Sequence, residues 1–176
     1  MAFEQVLPRR LARWVAADPD WDQVYADELP RVFNFFRYRF GHAADAEDLT
    51  ARTFEKAWRA RDRYRKDLAG FATWVLTIAR NVAIDHVRAR RPLVPLEAAA
   101  AVPSPGPTPE EQAELQSDAD RLEHLLQQLS PRERELIAFK YGAEMTNRAI
   151  AQATGLSESN VGTILHRAVE TLRAQW

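Results

Sequence analysis

Asn81, Asp85 and Arg88 stand at i, i+4 and i+7 of one apolar-periodic segment. That spacing puts an amide, a carboxylate and a guanidinium on one stripe of a helix. An amide offers a base edge both a donor and an acceptor. Ahead of the stripe lies "RDRYRKDLAG", a basic loop that holds Arg65 and Lys66 together with Tyr64 and Gly70. Cationic side chains beside aromatics suit unstacked single-stranded nucleic acid, through phosphate attraction and base stacking. The plainer reading is that Trp58, Phe71 and Trp74 at helical spacing fill a core and that the basic run is a solvated face. A second polar stripe lies near the C-terminus: Ser159, Asn160, Gly162, Thr163, His166 and Arg167. Asn and Thr meet bases, Arg meets guanine or phosphate, and Lys140 upstream can add a phosphate contact. Gly162 is costly there, at about 1 kcal/mol relative to Ala in a helix interior.

Other chemistry is missing. There is no Gly-rich phosphate loop and no nucleophile elbow, and His42, His86, His124 and His166 are scattered without metal-ligand spacing. The 176 residues include no Cys, which excludes disulfides and thiolate metal sites. No catalytic residue, metal or cofactor is expected. The N-terminal stretch "MAFEQVLPRRLARWV" lacks the unbroken apolar run of a signal peptide. No window approaches the roughly 20 apolar residues of a membrane span. The expectation is a cytoplasmic protein with no membrane insertion.

A formal net charge of −1 hides a polarity. From Arg61 to Arg91 the basic residues Arg61, Arg63, Arg65, Lys66, Arg80, Arg88, Arg90 and Arg91 outnumber Asp62, Asp67 and Asp85. From Leu93 to Asp120 there is no Lys or Arg, while Glu97, Glu110, Glu111, Glu114, Asp118 and Asp120 are acidic.

Helical spacing positions both stripes. Tyr25, Leu29, Val32, Phe36 and Phe40 form one apolar stripe, and Gly41 ends that helix. Asp45 is the expected N-cap of the next helix, which turns Leu49, Phe54 and Trp58 inward. A third helix repeats Phe71, Trp74, Val75, Ile78 and Val82 and runs to about Arg90, with Pro92 as its stop. Then "LVPLEAAAAVPSPGPTP" reads as a linker with no core-forming pattern. A second block follows. Leu115, Ala119, Leu122, Leu126 and Leu129 mark a helix, and "SPRE" predicts a capping box with Ser130 as N-cap and Glu133 as its partner. The next helix carries Leu136, Ile137 and Phe139 and ends around Tyr141-Gly142. Strand signals are nearly absent. The expected fold is all-α: an N-terminal extension (1–21), a helical domain (22–92), an acidic Pro/Ala-rich linker (93–113) and a second helical domain (114–176).

The last two helices, about Thr146–Thr154 and Ser157–Ala174, flank Gly155 and match a helix-turn-helix. In such a unit the second helix enters the major groove. An αα-corner that binds nothing has the same spacing. A regulator that binds duplex operator DNA without polymerase, with a helical domain in front, is also compatible with these residues.

From about Val24 to Arg173 the chain resembles the extracytoplasmic-function (ECF) bacterial sigma factors, which join a σ2 and a σ4 domain. The resemblance rests on "DAEDLTARTFEKAWR", "FATWVLTIARNVAIDHVRARR" and "LSPRERELIAFKYGAEMTNRAIAQATGLSESNVGTILHRAVETLR". It implies a non-catalytic promoter-specificity subunit whose partners are promoter DNA, core RNA polymerase (the clamp helices of its largest subunit and its flap region) and an anti-sigma factor. On that resemblance Asp48, Arg52, Glu55 and Arg59 face the polymerase. Arg65, Lys66, Asn81, Asp85 and Arg88 read the melted −10 element. Lys140, Ser159, Asn160, Gly162, Thr163, His166 and Arg167 read the −35 element. The chain departs from the pattern at Ala51-Arg52, where relatives carry Gln followed by an acid, and at Ala149, where they often carry Glu. Basic residues are common in the family where Gly162 and Ile164 stand here, which implies fewer phosphate contacts.

Overall fold

A computed structural model describes residues 21–90 and 118–176. The expected N-terminal extension and linker, with Pro92 and Leu115, lie outside the described residues apart from Trp21. The helices are α1 (Trp21–Phe40), α2 (Ala43–Arg59), α3 (Phe71–Arg90), α4 (Asp118–Gln128), α5 (Pro131–Ile137), α6 (Asn147–Thr154) and α7 (Glu158–Gln175). A short 3₁₀ turn spans Arg61–Arg63, and a π-turn, Ala138–Gly142, continues α5. No strand occurs among the described residues.

The chain ends each helix by local chemistry. Gly41 sits at φ 83°, a left-handed value that favours glycine, and its amide donates to Arg37 O at 2.9 Å to close α1. Gly155, at φ 75°, closes α6 in the same way. Ser130 Oγ accepts from Glu133 N at 3.3 Å while the Glu133 carboxylate accepts from Ser130 N at 3.0 Å, which is the expected capping box. Thr146 and Ser157 cap α6 and α7 through Ala149 N and Asn160 N. The expected cap at Asp45 is corrected. The N-cap of α2 is His42, without a side-chain hydrogen bond, and Asp45 instead receives Arg90 Nη2 at 2.9 Å. A carboxylate in the first turn complements the helix dipole without being the cap.

Helices α1, α2 and α3 form the first domain around Val32, Phe36, Leu49, Val75, Leu76 and Ala79, all fully buried. Helices α4 to α7 form the second around Leu136, Ile137, Ile150, Val161 and Ala168. The two cores are continuous. Phe35, one residue or about 100° round α1 from Phe36 of the expected stripe, is fully buried and stacks on Phe139 at 4.6 Å between ring centroids. Thus α1 is apolar on two faces, one for each domain. Tyr25, expected inward, is 47% exposed and lies at the rim of the α1–α2 contact, its ring edge-on to Phe54 at 4.6 Å.

Charge accompanies the apolar contact between domains. Glu135 on α5 is buried, and its Oε1 lies 2.9 Å from Arg39 Nη1 and 3.1 Å from Arg80 Nε. The Arg39 contact is an ion pair whose angle falls outside hydrogen-bond geometry, while Arg80 donates a hydrogen bond. Arg132 adds a longer pair to Oε2 at 3.7 Å. Burial holds the Arg39 guanidinium below its usual range, an effect opposed by Glu135. Arg31 Nε donates to Ala143 O at 2.9 Å, and Arg37 pairs with Glu123 at 2.8 Å. Deleting the Glu135 carboxylate leaves two partly buried cations unpaired, a loss of about 3–5 kcal/mol for a buried pair.

Candidate nucleic-acid interface

Helix α3 presents the first stripe. Its apolar face (Val75, Leu76, Ala79, Val82, Ala83) is buried, and Asn81, Asp85 and Arg88 stand exposed on the opposite side. Asp85 Oδ2 accepts from Lys56 Nζ on α2 at 3.1 Å. Asn81 is exposed one turn before Asp85. Behind the stripe, His86 is half-buried against Phe40 at 5.1 Å, and burial and then Arg90 hold its imidazole below the usual pKa.

The loop before α3 rests on an aromatic cluster. Tyr64, Phe71 and Trp74 approach one another at 5.1–5.4 Å, and Trp21 meets Phe71 at 5.4 Å and Trp58 at 5.5 Å. The inward position expected for Trp58 is corrected: its side chain is 51% exposed, with the Arg61 guanidinium 4.4 Å over its ring. Trp21, itself partly buried, packs edge-on between Trp58 and Phe71, so Trp58 stays at the rim of the cluster. Arg65 and Lys66 are exposed, as phosphate contacts require. Arg65 is already engaged, with Nε and Nη2 donating to the two Asp67 carboxylate oxygens at 2.9 and 2.8 Å. That pair raises the Arg65 pKa and lowers that of Asp67.

Helix α7 presents the second stripe. Val161, Leu165 and Ala168 face the core, while Ser159, Asn160, Thr163, His166 and Arg167 are exposed. Thr163 Oγ1 donates to Ser159 O at 3.1 Å, so its lone pairs rather than its proton face outward. Gly162 is half-buried beside α6. A Cβ there would lie 3.7 Å from Asn147 Nδ2, an ordinary contact distance. Lys140 sits on the π-turn rather than at the end of an α-helix, and shares with Tyr141, Asn147, His166 and Arg173 a cavity of about 260 Å³. Asn147 Oδ1 is buried there without a partner, a position that sequence reading missed. The only signal was an amide directly after the Thr146 cap.

The outer face of α2 is a ladder of exposed ion pairs. Arg52 meets Asp48 at 2.9 Å and Arg59 meets Glu55 at 2.5 Å, each at i,i+4 with the acid N-terminal. Asp48, Arg52, Glu55 and Arg59 therefore share one exposed surface of α2.

These elements coincide with known sequence families. Residues 24–92 match Sigma-70 region 2 and residues 119–172 match Sigma-70, region 4. The curated ECF RNA polymerase sigma factor SigL of Mycobacterium tuberculosis is 31% identical over 93% of this chain and 93% of its own length. This chain belongs to the ECF sigma factors. Membership places it in transcription initiation, as a DNA-binding factor that works with RNA polymerase. The ECF sigma factor BldN of Streptomyces coelicolor is 28% identical over 85% of this chain, which spans 58% of BldN's length. Among solved structures, the sigma factor RpoE of Bartonella quintana, in complex with the anti-sigma factor NepR, superposes with a TM-score of 0.69 at 23% identity. That likeness covers 89% of this chain and 96% of the other, and it establishes the shared fold. In family terms, α1–α3 are σ2 and α4–α7 are σ4. The two polar stripes thus belong to different sigma regions. No helix among the described residues is long and apolar enough to cross a membrane, and none of their acidic and His side chains form a metal-binding group.

Proposed function

We propose that this sigma factor binds core RNA polymerase and directs it to promoters, σ2 recognising and melting the −10 element and σ4 binding the −35 element. It acts without a catalytic group of its own, in the cytoplasm, as σ2 (22–92) and σ4 (114–176) joined by the 93–113 linker. The observation that carries the reading is the pair of exposed polar stripes, one on each sigma region. Asn81, Asp85 and Arg88, with Arg65 and Lys66, take the unpaired −10 bases and their phosphates. A base held outside the stack lowers the cost of opening the duplex. Asn160, Thr163, His166 and Arg167 enter the −35 major groove, Ser159 and Lys140 hold its backbone, and Gly162 brings α7 close. The outward ladder Asp48, Arg52, Glu55 and Arg59 meets the polymerase clamp helices, σ4 meets the flap region, and an anti-sigma factor competes for these faces.

Run-off transcription with purified core polymerase tests this. The expected result is a promoter-dependent transcript only when the chain is added, with weak promoter binding by the chain alone. Tight operator binding without polymerase, and no transcript, would instead establish a free-standing helix-turn-helix regulator.

A further inference from the structure

An exposed carboxylate is the odd member of the α3 stripe. Asp85 stands one turn after Asn81 and one turn before Arg88, and its side chain is 61% exposed. A melted strand brings phosphates past that stripe, and a free carboxylate repels them. Toward a base it acts only as an acceptor, with two oxygens and no donor when ionised. Lys56 changes that capacity. It lies on α2, outside the stripe, and its Nζ reaches across to Asp85 Oδ2 at 3.1 Å. The ammonium offsets the charge that phosphates would meet, and it takes one of the two oxygens.

The oxygen count decides which base fits. An unpaired base presents its Watson–Crick edge, because no partner strand occupies it. On guanine that edge carries two adjacent donors, N1–H and the N2 amine, which match both oxygens of a free carboxylate side by side. Adenine and cytosine carry a single exocyclic amine, N6 or N4, which one oxygen satisfies. Thymine offers N3–H between two carbonyls, and those carbonyls repel a carboxylate. With Oδ2 held by Lys56, Asp85 keeps Oδ1 for a second donor. The pair therefore suits a base with one amine and turns guanine away. Both side chains are more than half exposed, so the ion pair adds little to stability. Its weight falls on geometry instead.

We propose that Lys56 is a positioning residue of the −10 site. By holding Asp85 Oδ2 it limits Asp85 to one base amine, and so sets a preference for adenine or cytosine over guanine at a single −10 position. The inference rests on the −10 reading proposed above, and it names the base chemistry that one residue of that site takes.

Run-off transcription by the full chain with core polymerase reads this. The templates derive from a promoter that the wild-type chain uses, with each of the four bases placed in turn at every −10 position of the non-template strand. Wild type is expected to favour adenine or cytosine over guanine roughly tenfold at one position. Unsubstituted purine, which lacks the N6 amine, is expected to lose about as much there against adenine. Lys56→Met keeps the stem and removes the ammonium. It is expected to raise the use of guanine at that position roughly tenfold relative to adenine or cytosine. Inosine, which lacks the N2 amine, is expected to abolish that gain. In Asp85→Ala both the preference and the effect of Lys56→Met are expected to vanish. Ratios between templates cancel any change in polymerase affinity, and Lys56→Ala repeats the measurement with the stem removed as well. A wild-type transcript whose base preference is unmoved in Lys56→Met and Lys56→Ala overturns the assignment. So does a shift spread evenly over all −10 positions, or one that survives Asp85→Ala. No promoter-dependent transcript from wild type overturns the promoter reading itself, and this assignment falls with it.

Discussion

Asn81 is exposed on α3, beside an Asp85 tied to Lys56 and an Arg88 open to solvent. It supports no packing, so Asn81→Ala is expected to weaken −10 recognition by about 1–3 kcal/mol, the scale of one good base contact, with melting temperature and polymerase affinity unchanged. Equal loss of polymerase affinity would assign Asn81 to structure. Gly162 has a different environment, half-buried beside Asn147 with space for a methyl group. Gly162→Ala is expected to stabilise α7 by up to about 1 kcal/mol, measured by chemical denaturation. Gly162→Arg is expected to raise −35 affinity and to steepen the log–log salt dependence of duplex binding by about one. His86 titrates within reach of experiment. Burial lowers its pKa in the folded state, so the unfolded chain binds more protons as pH falls through about 6.5. Stability is therefore expected to fall below that pH, and His86→Leu is expected to flatten the dependence of melting temperature between pH 7 and 5.

At the scale of elements, the capping box is the sharpest agreement between local chemistry and structure. Ser130→Ala removes one half of it and is expected to cost about 1 kcal/mol in thermal or denaturant unfolding. Helix boundaries and caps were legible because Gly41, Ser130, Thr146, Gly155 and Ser157 act within one turn of their own positions. The exposed stripes on α3 and α7 were legible for the same reason: periodicity separates polar from apolar faces along one helix. The π-turn at Ala138–Gly142 was not, since its extra residue answers to the α1 backbone that Gly142 meets. Nor was the exposure of Trp58, which stands at the rim of an aromatic cluster shared with Trp21, a residue 37 positions earlier that packs on Phe71. Phe35 was invisible as a core residue for a related reason. A single apolar stripe accounts for one neighbour, and α1 has two.

For the whole molecule, continuity of the two cores has a thermodynamic signature. Phe35, Phe36, Phe139 and Ile137 belong to one buried cluster, so σ2 and σ4 are expected to unfold together in one calorimetric transition. Two resolved transitions in the wild-type chain would contradict that coupling. The Arg65–Asp67 pair bears on the same scale of behaviour, because it makes the basic loop its own competitor. Asp67 takes Arg65 Nε and Nη2 and leaves Nη1 free, so in the proposed −10 reading a phosphate meets a cation whose charge is already partly balanced. On that proposal Arg65→Ala is expected to flatten the log–log salt dependence of single-strand binding by less than the roughly 0.7 of a full phosphate contact, as read by a salt titration. If the loop takes melted DNA as proposed, its hold is expected to fade less with rising ionic strength than its count of positive charges suggests.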